Sequence, residues 1–554
     1  REMGANFVRS HYPQPQALYA ACDREGVMSW VKIPIMQKIA HTAAYARNTR
    51  RMVREMVLQN CNHPSVIIWG YMCEVLGDMD WYWPEPRDPE KVAENMRKTR
   101  EFVLDLEGYV RELDPFRLTA NDHHSSPTPE WYVEAGLTGV STFEGWFDYA
   151  GWYSRSLQQV GEVIDLTRAL NPDWPYLLAE YGAGSDPRIH THEPTVQDFS
   201  SEYQVLFHRT CLREVAERDW VAGAFIWTLF DFQVKERPDT MPHFNNKGVL
   251  RADRRPKDVY HLYRAHWSKE PMVHVATTDW TERTVVPDPD GTFQAPLRVF
   301  SNLDEVELHH NGQSLGAKPL RNGEASWQVR FVEGANRLEA VARGEGNCVR
   351  DLAQVHYQFI PRDLRSAPLP GDRLCVNVGQ SRTYFRDPVT GNCWVPDRAY
   401  RRSGFGHVDG EYYRTWTGTP CWDGVREGVH YSILGTRLDP VYQTFLVGLT
   451  DYRFDVGDGC YDVSLYFTEP FPGERRRDPA EETGADERGR RVFDVEINGR
   501  TCMTGLDLAA QYGDRRPVVE TFRVDLYDGE GIRIRLVPRV GQPVLSGAML
   551  RQVR

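Results

Sequence analysis

Seven short apolar runs recur through the first 267 residues, at ANFVR, GVMSWVKIP, SVIIWGY, RLTAND, LTGVSTF, YLLAEYG and AGAFIWTLF. Stretches of helical period separate them. In one, ARNTRRMVREMVLQN, Met52, Val53, Met56 and Val57 repeat at helical spacing. Strands that alternate with amphipathic helices are joined by crossovers rather than by tight hairpins, so the pattern predicts a parallel sheet or barrel. A (β/α)8 barrel needs eight strands. Only seven runs are visible, so the first strand is expected to precede residue 1 and the domain at 1–267 to be incomplete at its N-terminus.

The helical period stops after that. In LRVFSNLDEVELHHNGQSLG, Val306, Leu308 and His310 share one face and run into Asn311-Gly312, a strong hairpin signal. GANRLEAVARGEG supplies another strand, and residues 268–360 read as an immunoglobulin-like β-sandwich. PRDLRSAPLPG, at 361–371, is proline-rich and reads as a linker. Strands resume from 372 to 554 in a second all-β module, interrupted by GERRRDPAEETGADERGRR, a charge-dense stretch that reads as a solvated loop. The fold class is therefore α/β plus all-β: a (β/α)8 TIM barrel lacking its first strand, followed by two β-sandwiches. A length of 554 residues agrees with about three or four domains.

Composition removes several classes of function. A net charge of −12 argues against a general nucleic-acid binder, which shows a basic patch or stripe. No apolar run reaches the length of about 18 residues that a membrane span needs, so no membrane partner is expected. The 10 cysteines form no CxxC pair, which excludes zinc-ribbon and thioredoxin motifs. They are expected to be mostly free buried thiols, with Cys393 and Cys421 able to pair in an oxidising compartment. The opening, REMGANFVRSHYP, reads as the middle of a domain without a signal peptide; the compartment is left open, with a periplasmic or secreted setting slightly favoured.

In parallel barrels, chemistry gathers at the C-terminal ends of the strands. The polar residues there are Arg9, His11, Lys32, Glu74, Asn121, Asp122, His123, Glu144, Glu180 and Asp231, with Trp69, Trp146 and Trp227 among them. Glu74 follows the third visible strand and Glu180 ends the sixth. Two carboxylates on opposite walls of a barrel mouth are the minimum equipment for glycoside hydrolysis: one protonated to donate to the leaving oxygen, one ionised to attack the anomeric carbon. Position alone leaves these two open to a plainer reading as salt-bridged loop residues.

At these positions the sequence resembles glycoside hydrolase family 2, the β-galactosidase and β-glucuronidase family. The matching segments are MGANFVRSHYPQ, CDREGVMSWVKIP, NHPSVIIWGYMCEV, LLAEYGAG, GAFIWTLFDF and NNKGVLRADRRPKDVYHLYRAHWSKEPMVH. The resemblance implies a retaining mechanism, with Glu74 as general acid/base and Glu180 as nucleophile. It places His11 of the HYP motif and Trp227 at the sugar, together with Asn245 and Lys247 of an N-x-K pattern that in glucuronidases holds the sugar carboxylate, although galactosidases often carry similar residues. It also implies that a jelly roll and an immunoglobulin-like domain, which family members place before the barrel, are absent here. Residues 372–554 resemble a malectin-like carbohydrate-binding domain through VNVG, YDVSLYFTEP, RVFDVEING and PVLSGAMLR.

Several positions depart from the family pattern. Cys73 stands where an Asn holds the sugar 2-hydroxyl, Lys32 where an acidic residue is usual, and in STFEGW Phe143 replaces a Tyr whose hydroxyl approaches the nucleophile, with Glu144 as an added carboxylate. The spacing of Arg9 and His11 is one residue shorter than in the family, so Arg9 is not carried over with a role.

The expected function is a retaining exo-β-glycosidase, most like a β-galactosidase, acting on plant or algal glycans. The alternatives are a β-glucuronidase, a catalytically weakened glycan binder, and a structural module built on the two β domains. Substrate-binding candidates are His11, Cys73, His123, Trp146, Trp227, Asn245 and Lys247, with His124 weighed beside His123. Trp394, Tyr412, Tyr413 and Trp416 are weighed as sugar-stacking residues against core packing. His190 and His192 are weighed as metal ligands against plain loop residues, and no metal or cofactor is expected. An oligo- or polysaccharide is the expected partner, and a homo-oligomer is left open.

Overall fold

The computed structural model describes residues 1–553 except 82, 84–85, 127, 236, 417–424, 430–431, 470–486 and 528. The N-terminal domain is built on parallel strands β1 (Phe7–Ser10), β2 (Met28–Lys32), β3 (Val66–Gly70), β4 (Leu118–His124), β5 (Phe143–Phe147), β6 (Tyr176–Tyr181) and β8 (Val221–Ile226), hydrogen-bonded in that order. The crossovers carry α1 (Gln16–Glu25), α2 (Ala43–Asn60), α3 (Gly77–Trp81), α4 (Pro89–Leu113), α5 (Glu130–Glu134), α6 (Val160–Leu170) and α7 (Ser201–Ala216), and α8 (Asp258–Trp267) follows β8. The two edge strands lean together through Phe7 and Phe225, whose ring centroids lie 5.0 Å apart, so the sheet curls into a near-closed barrel. The fifth strand lies a few residues later than LTGVSTF suggests, because Gly136 and Gly139, both at positive φ, turn the chain there first.

Local signals set the helices. The Thr42 side chain caps α2 by accepting from Tyr45 N, and Asp88 caps α4 with Pro89 in its first turn. Val53, Met56 and Val57 of α2 are buried against the barrel, as their spacing predicts. Inside the barrel, Trp30, Ile68, Ala120, Leu177, Ala179 and Phe225 fill the space below the strand ends. Burying a side chain such as Ile68 or Leu177 contributes about 1.5–3 kcal/mol, which makes the barrel floor a firm base for what sits above it.

The middle domain packs a three-stranded sheet on a five-stranded one. In strand Glu324–Phe331, Ala325, Trp327, Val329 and Phe331 alternate inward. Asn311 and Gly312 both take positive φ between the paired strands Glu305–His310 and Gln313–Pro319, the hairpin their sequence predicts. Val306 and Leu308 point into the core, and His310 bonds Asn336 at 2.8 Å.

The C-terminal domain contains a seven-stranded and a five-stranded sheet. The outermost strand of the larger sheet comes from the barrel domain: β7 (Ile189–Thr191), in the β6–α7 connection, pairs antiparallel with Thr383–Phe385. His190 stacks on Trp280 of the middle domain at 5.0 Å, and His192 packs on the same ring at 4.6 Å. These histidines join three domains, and among the described residues no group of His, Cys, Asp and Glu is arranged to hold a metal ion.

Other sequence expectations change here. Residues 361–371 are not a free linker: Leu364 and Leu369 are buried in the C-terminal core, and Leu364 N donates to Ser403 O at 2.8 Å. Two leucines outweigh the prolines around them. Trp394 is a core residue and Tyr413 stacks on Phe445, while Tyr412 packs edge-on to His407; the Trp416 side chain lies outside the described residues. Cys393 is a free thiol, and Cys421 and most of the charged stretch at 473–491 also lie outside. Among the described residues no helix is long and apolar enough to cross a membrane. Replacing Leu364 by Ala should destabilise the C-terminal domain by about 2–5 kcal/mol, read as a lowered denaturation midpoint; a free linker would show no change.

Candidate active site

Glu74 lies four residues past β3. The parallel ladder continues beyond Gly70 through bridges of Cys73 to Met36 and to Asp122, so the chain stays registered up to residue 73 and then turns. Glu74 takes φ +50, a conformation that L residues avoid. It is fixed there by Glu74 N donating to Asp122 O at 2.9 Å and by Gly77 N donating to Glu74 O at 2.8 Å. Gln37 Nε2 reaches its Oε2 at 3.5 Å. Glu180, buried near the end of β6, accepts from Tyr149 Oη at 2.5 Å and from Arg9 Nη1 at 3.2 Å.

A buried charge cluster lies beneath both carboxylates. Arg9 Nη2 also pairs with Asp122 at 2.8 Å, and Lys32 Nζ bonds the same Asp122 oxygen. Burial raises the Asp122 pKa, but Arg9 and Lys32 outweigh it and hold the carboxyl below its ordinary value. Lys32 needs the glycine at 70, because a Cβ there would lie 2.3 Å from Lys32 Cγ. The acidic residue that Lys32 displaces has a counterpart in Asp122, on a strand two places away in the sheet.

Burial and the neighbouring Glu180 charge push Glu74 up to about 8, so it carries a proton at neutral pH. His11 is shifted the opposite way, by burial and then by Lys32 and Arg9, and stays neutral. Its ring packs on Trp227 at 4.9 Å, and its Nε2 lies 3.7 Å from the buried Cys73 thiol. Trp227 reaches this wall because Gly182 lets the chains approach: a Cβ at 182 would sit 1.9 Å from Trp227 O.

On the other side Tyr149 packs against Tyr153, with ring centroids 5.0 Å apart. Two cations converge on the Tyr153 hydroxyl: Arg237 Nη1 at 2.6 Å and Lys247 Nζ at 2.5 Å. Burial and then the Arg237 charge lower the Lys247 pKa. Burial raises the Tyr153 phenol, but the two cations outweigh it and bring it below its ordinary value. Asn245 Oδ1 accepts from Lys247 N at 3.3 Å. Asp239 lies 3.9 Å from Arg237.

Of the residues singled out from sequence, Glu74, Glu180, His11, Cys73, Trp227, Asn245 and Lys247 lie in or against this cluster. Two others do not. Successive residues of a strand face opposite sides, so with Asp122 directed at Arg9 and Lys32, His123 points outward. It packs against Tyr132 of α5 and against Trp146, both fully buried, and burial lowers its pKa to about 3. His124 donates to or accepts from Tyr132 Oη at 2.8 Å on the same helix. Glu144 is also remote, accepting from Asn171 Nδ2 at 2.8 Å and from Gly139 N, and Asp231 is paired with Lys257 at 3.0 Å.

Phe143 is not a lost tyrosine. The N-x-Y-x-G-W spacing is met further on, at Phe147–Trp152, with Tyr149 in the tyrosine position, and Tyr149 Oη makes the bond to Glu180. Arg9, left without a role by its spacing, binds Glu180 directly. Tyr153 and Arg237 carried no sequence signal beyond the aromatic run after β5 and a single basic residue in a polar loop.

Residues 1–271 match the glycosyl hydrolases family 2 TIM barrel domain, residues 293–350 a domain of unknown function (DUF4982), and residues 373–537 the malectin domain. The barrel of this chain belongs to glycosyl hydrolase family 2. The chain is similar to a putative β-glucuronidase of Formosa agariphila, 30% identical over 65% of this chain and 44% of that protein. It is 28% identical to a β-glucuronidase of Bacteroides fragilis over 65% of this chain and 49% of that one. A Bacteroides uniformis β-glucuronidase 2, solved covalently bound to cyclophellitol-6-carboxylate aziridine, aligns with TM-score 0.89 and 33% identity over 100% of this chain and 62% of that one. The chain thus spans about half the length of the curated relatives it matches.

The Glu74 carboxyl is held protonated in the folded protein up to about pH 8, whereas an exposed Glu titrates near 4.3. A raised folded pKa contributes stability that is complete below the unfolded value and is lost as pH rises through the folded one. Glu74→Gln should therefore raise Tm at about pH 8.5 and change it less at about pH 5. A melt series with a pH-independent difference would contradict the assignment.

Proposed function

We propose that this chain is a retaining β-glucuronidase that removes terminal β-linked uronic acids from glycans. The observation that carries the reading is the convergence of Arg237 and Lys247 on Tyr153, beside the tyrosine that holds Glu180. A uronate carboxylate accepts from two cations and a phenol at once. The 6-hydroxymethyl group of galactose gives two buried cations nothing to neutralise. The relatives point the same way, since the similar proteins at 28–33% identity are β-glucuronidases while a β-galactosidase of Bacteroides ovatus is 24% identical. The galactosidase expectation gives way on both grounds.

In this mechanism Glu180 attacks the anomeric carbon as Glu74 gives its proton to the leaving oxygen. The glycosidic bond breaks and a glycosyl ester forms on Glu180. Glu74, now ionised, takes a proton from water as that water attacks the same carbon; the ester opens, and both groups return to their starting states. Two inversions at one centre give retention, with the carboxyls about 5 Å apart. Arg9 and Tyr149 aim the nucleophile. Glu74, a weak acid with a pKa of about 8, is a matched proton donor near neutral pH, and loss of that proton sets an alkaline limit on activity.

Assayed on aryl β-glycosides, the chain should cleave the glucuronide in preference to the galactoside, and Glu180→Gln should abolish turnover. Lys247→Ala should lower kcat/KM on the glucuronide by about 100-fold, the effect of losing one charged hydrogen bond of up to about 3 kcal/mol. A parent chain that prefers the galactoside would overturn the reading.

Cys73 supports a second reading, a weakened enzyme. A thiol bonds a sugar hydroxyl poorly, and Cys73 occupies the position of the amide that does so in the family. On that reading Cys73→Asn raises kcat/KM by about 10-fold; an unchanged value would show that the contact is made elsewhere.

A further inference from the structure

We infer that Gln443, in the malectin domain, is a positioning residue for uronate recognition in the barrel. This rests on Arg237 contacting the substrate carboxylate. Lys247 is anchored within its own domain: Gly248 N donates to Asp231 at 2.9 Å, and Asp231 is paired with Lys257. Arg237 stands in the hairpin that joins Phe232–Gln233 to Phe244–Asn245, where its N donates to Val234 O at 3.2 Å and its O accepts from His243 N at 2.6 Å, and the two carbonyls that follow it are held from outside the barrel. Gln443, fully buried at the end of the short helix Asp439–Tyr442, donates from Nε2 to Pro238 O and to Asp239 O, each at 3.2 Å.

A second tie acts on the next residue. Arg188 Nη2 donates to Thr240 O at 2.9 Å, while its Nη1 donates to Arg437 O of the malectin domain at 3.0 Å. Two successive carbonyls, 238 and 239, are therefore held directly by the C-terminal domain, and the third is held by Arg188, a barrel residue that pairs with Asp186 at 2.7 Å and also reaches Arg437 O. Pro238 restricts φ immediately after Arg237, so rotation of the 238–239 peptide units would be transmitted to the Arg237 side chain. Displacing a group that binds the carboxylate equally in the ground state and the transition state raises KM and leaves kcat unchanged. Lys247 is thus placed by the barrel alone, and Arg237 by the barrel and the malectin domain together.

The test uses the full chain with Gln443→Met, which keeps the volume and removes the amide, and Gln443→Glu, which keeps the shape and removes the donor. Both should raise KM for an aryl β-glucuronide by about 10-fold, the effect of one ordinary hydrogen bond, with kcat nearly unchanged. Hydrogen exchange should quicken in the peptide covering 234–243 and not elsewhere in the barrel. Unchanged KM and unchanged exchange in either folded variant would overturn the inference. A fall in kcat and a rise in exchange across the whole barrel would overturn it too, since that marks general destabilisation. A parent chain inert on the glucuronide overturns the functional reading instead, and the loop exchange then still reports whether Gln443 holds the loop.

Discussion

Asp122 ties the two halves of the site together. Its side chain binds Arg9, which binds Glu180, and its backbone carbonyl receives the amide of Glu74. It is fully buried with Lys32, and the Arg9 side chain is 5% exposed. Burying charges is costly unless they are paired and hydrogen-bonded. Arg9 and Lys32 bring two positive charges, and Asp122 and Glu180 bring two negative ones. The set is balanced as it stands. Burial first and the neighbouring Glu180 charge second keep the Glu74 proton on well above the ordinary range.

That balance also explains how Lys32 can stand where the family has a carboxylate. The exchange is tolerated because Asp122 supplies the missing charge from β4, and because Gly70 leaves a channel for the lysine stem. A substitution that looks like damage in one dimension is half of a compensated pair in three.

Much of the architecture was legible in the sequence because the two periods that carry it are local. Alternation of runs and amphipathic stretches gave the barrel strands, and Asn311-Gly312 gave a hairpin. Glu74 and Glu180 were legible because strand ends are where a barrel can show polar groups. What escaped depended on side-chain direction and on register. His123 and Trp146 follow strand residues as Asp122 does, yet they fall on the helix-facing side of the sheet. Tyr149 was hidden by a similar pattern, STFEGW, a few residues upstream. Arg9 was discounted on spacing alone, although an arginine side chain reaches far enough to absorb one residue of slip. Leu364 and Leu369 were masked by a proline-rich context that governs backbone stiffness and says little about burial.

The remaining constraint is electrostatic. Arg237 and Lys247 share one phenol in a buried setting, where burial and then the Arg237 charge lower the Lys247 pKa. Such a pair is costly in the free protein and is maintained only by surrounding structure that prevents the cations from moving apart. The barrel provides part of that restraint through Asn245 and Gly248, and the malectin domain adds to it through the backbone of 238–239. A substrate that carries its own carboxylate relieves the repulsion as it binds, so the energy that strains the free site becomes selectivity for an acidic sugar. A neutral sugar gains nothing from the same cations and still has to displace their water. On the proposed reading, discrimination arises from what the site cannot do alone, and the β domains behind the barrel serve substrate recognition as well as the scaffold.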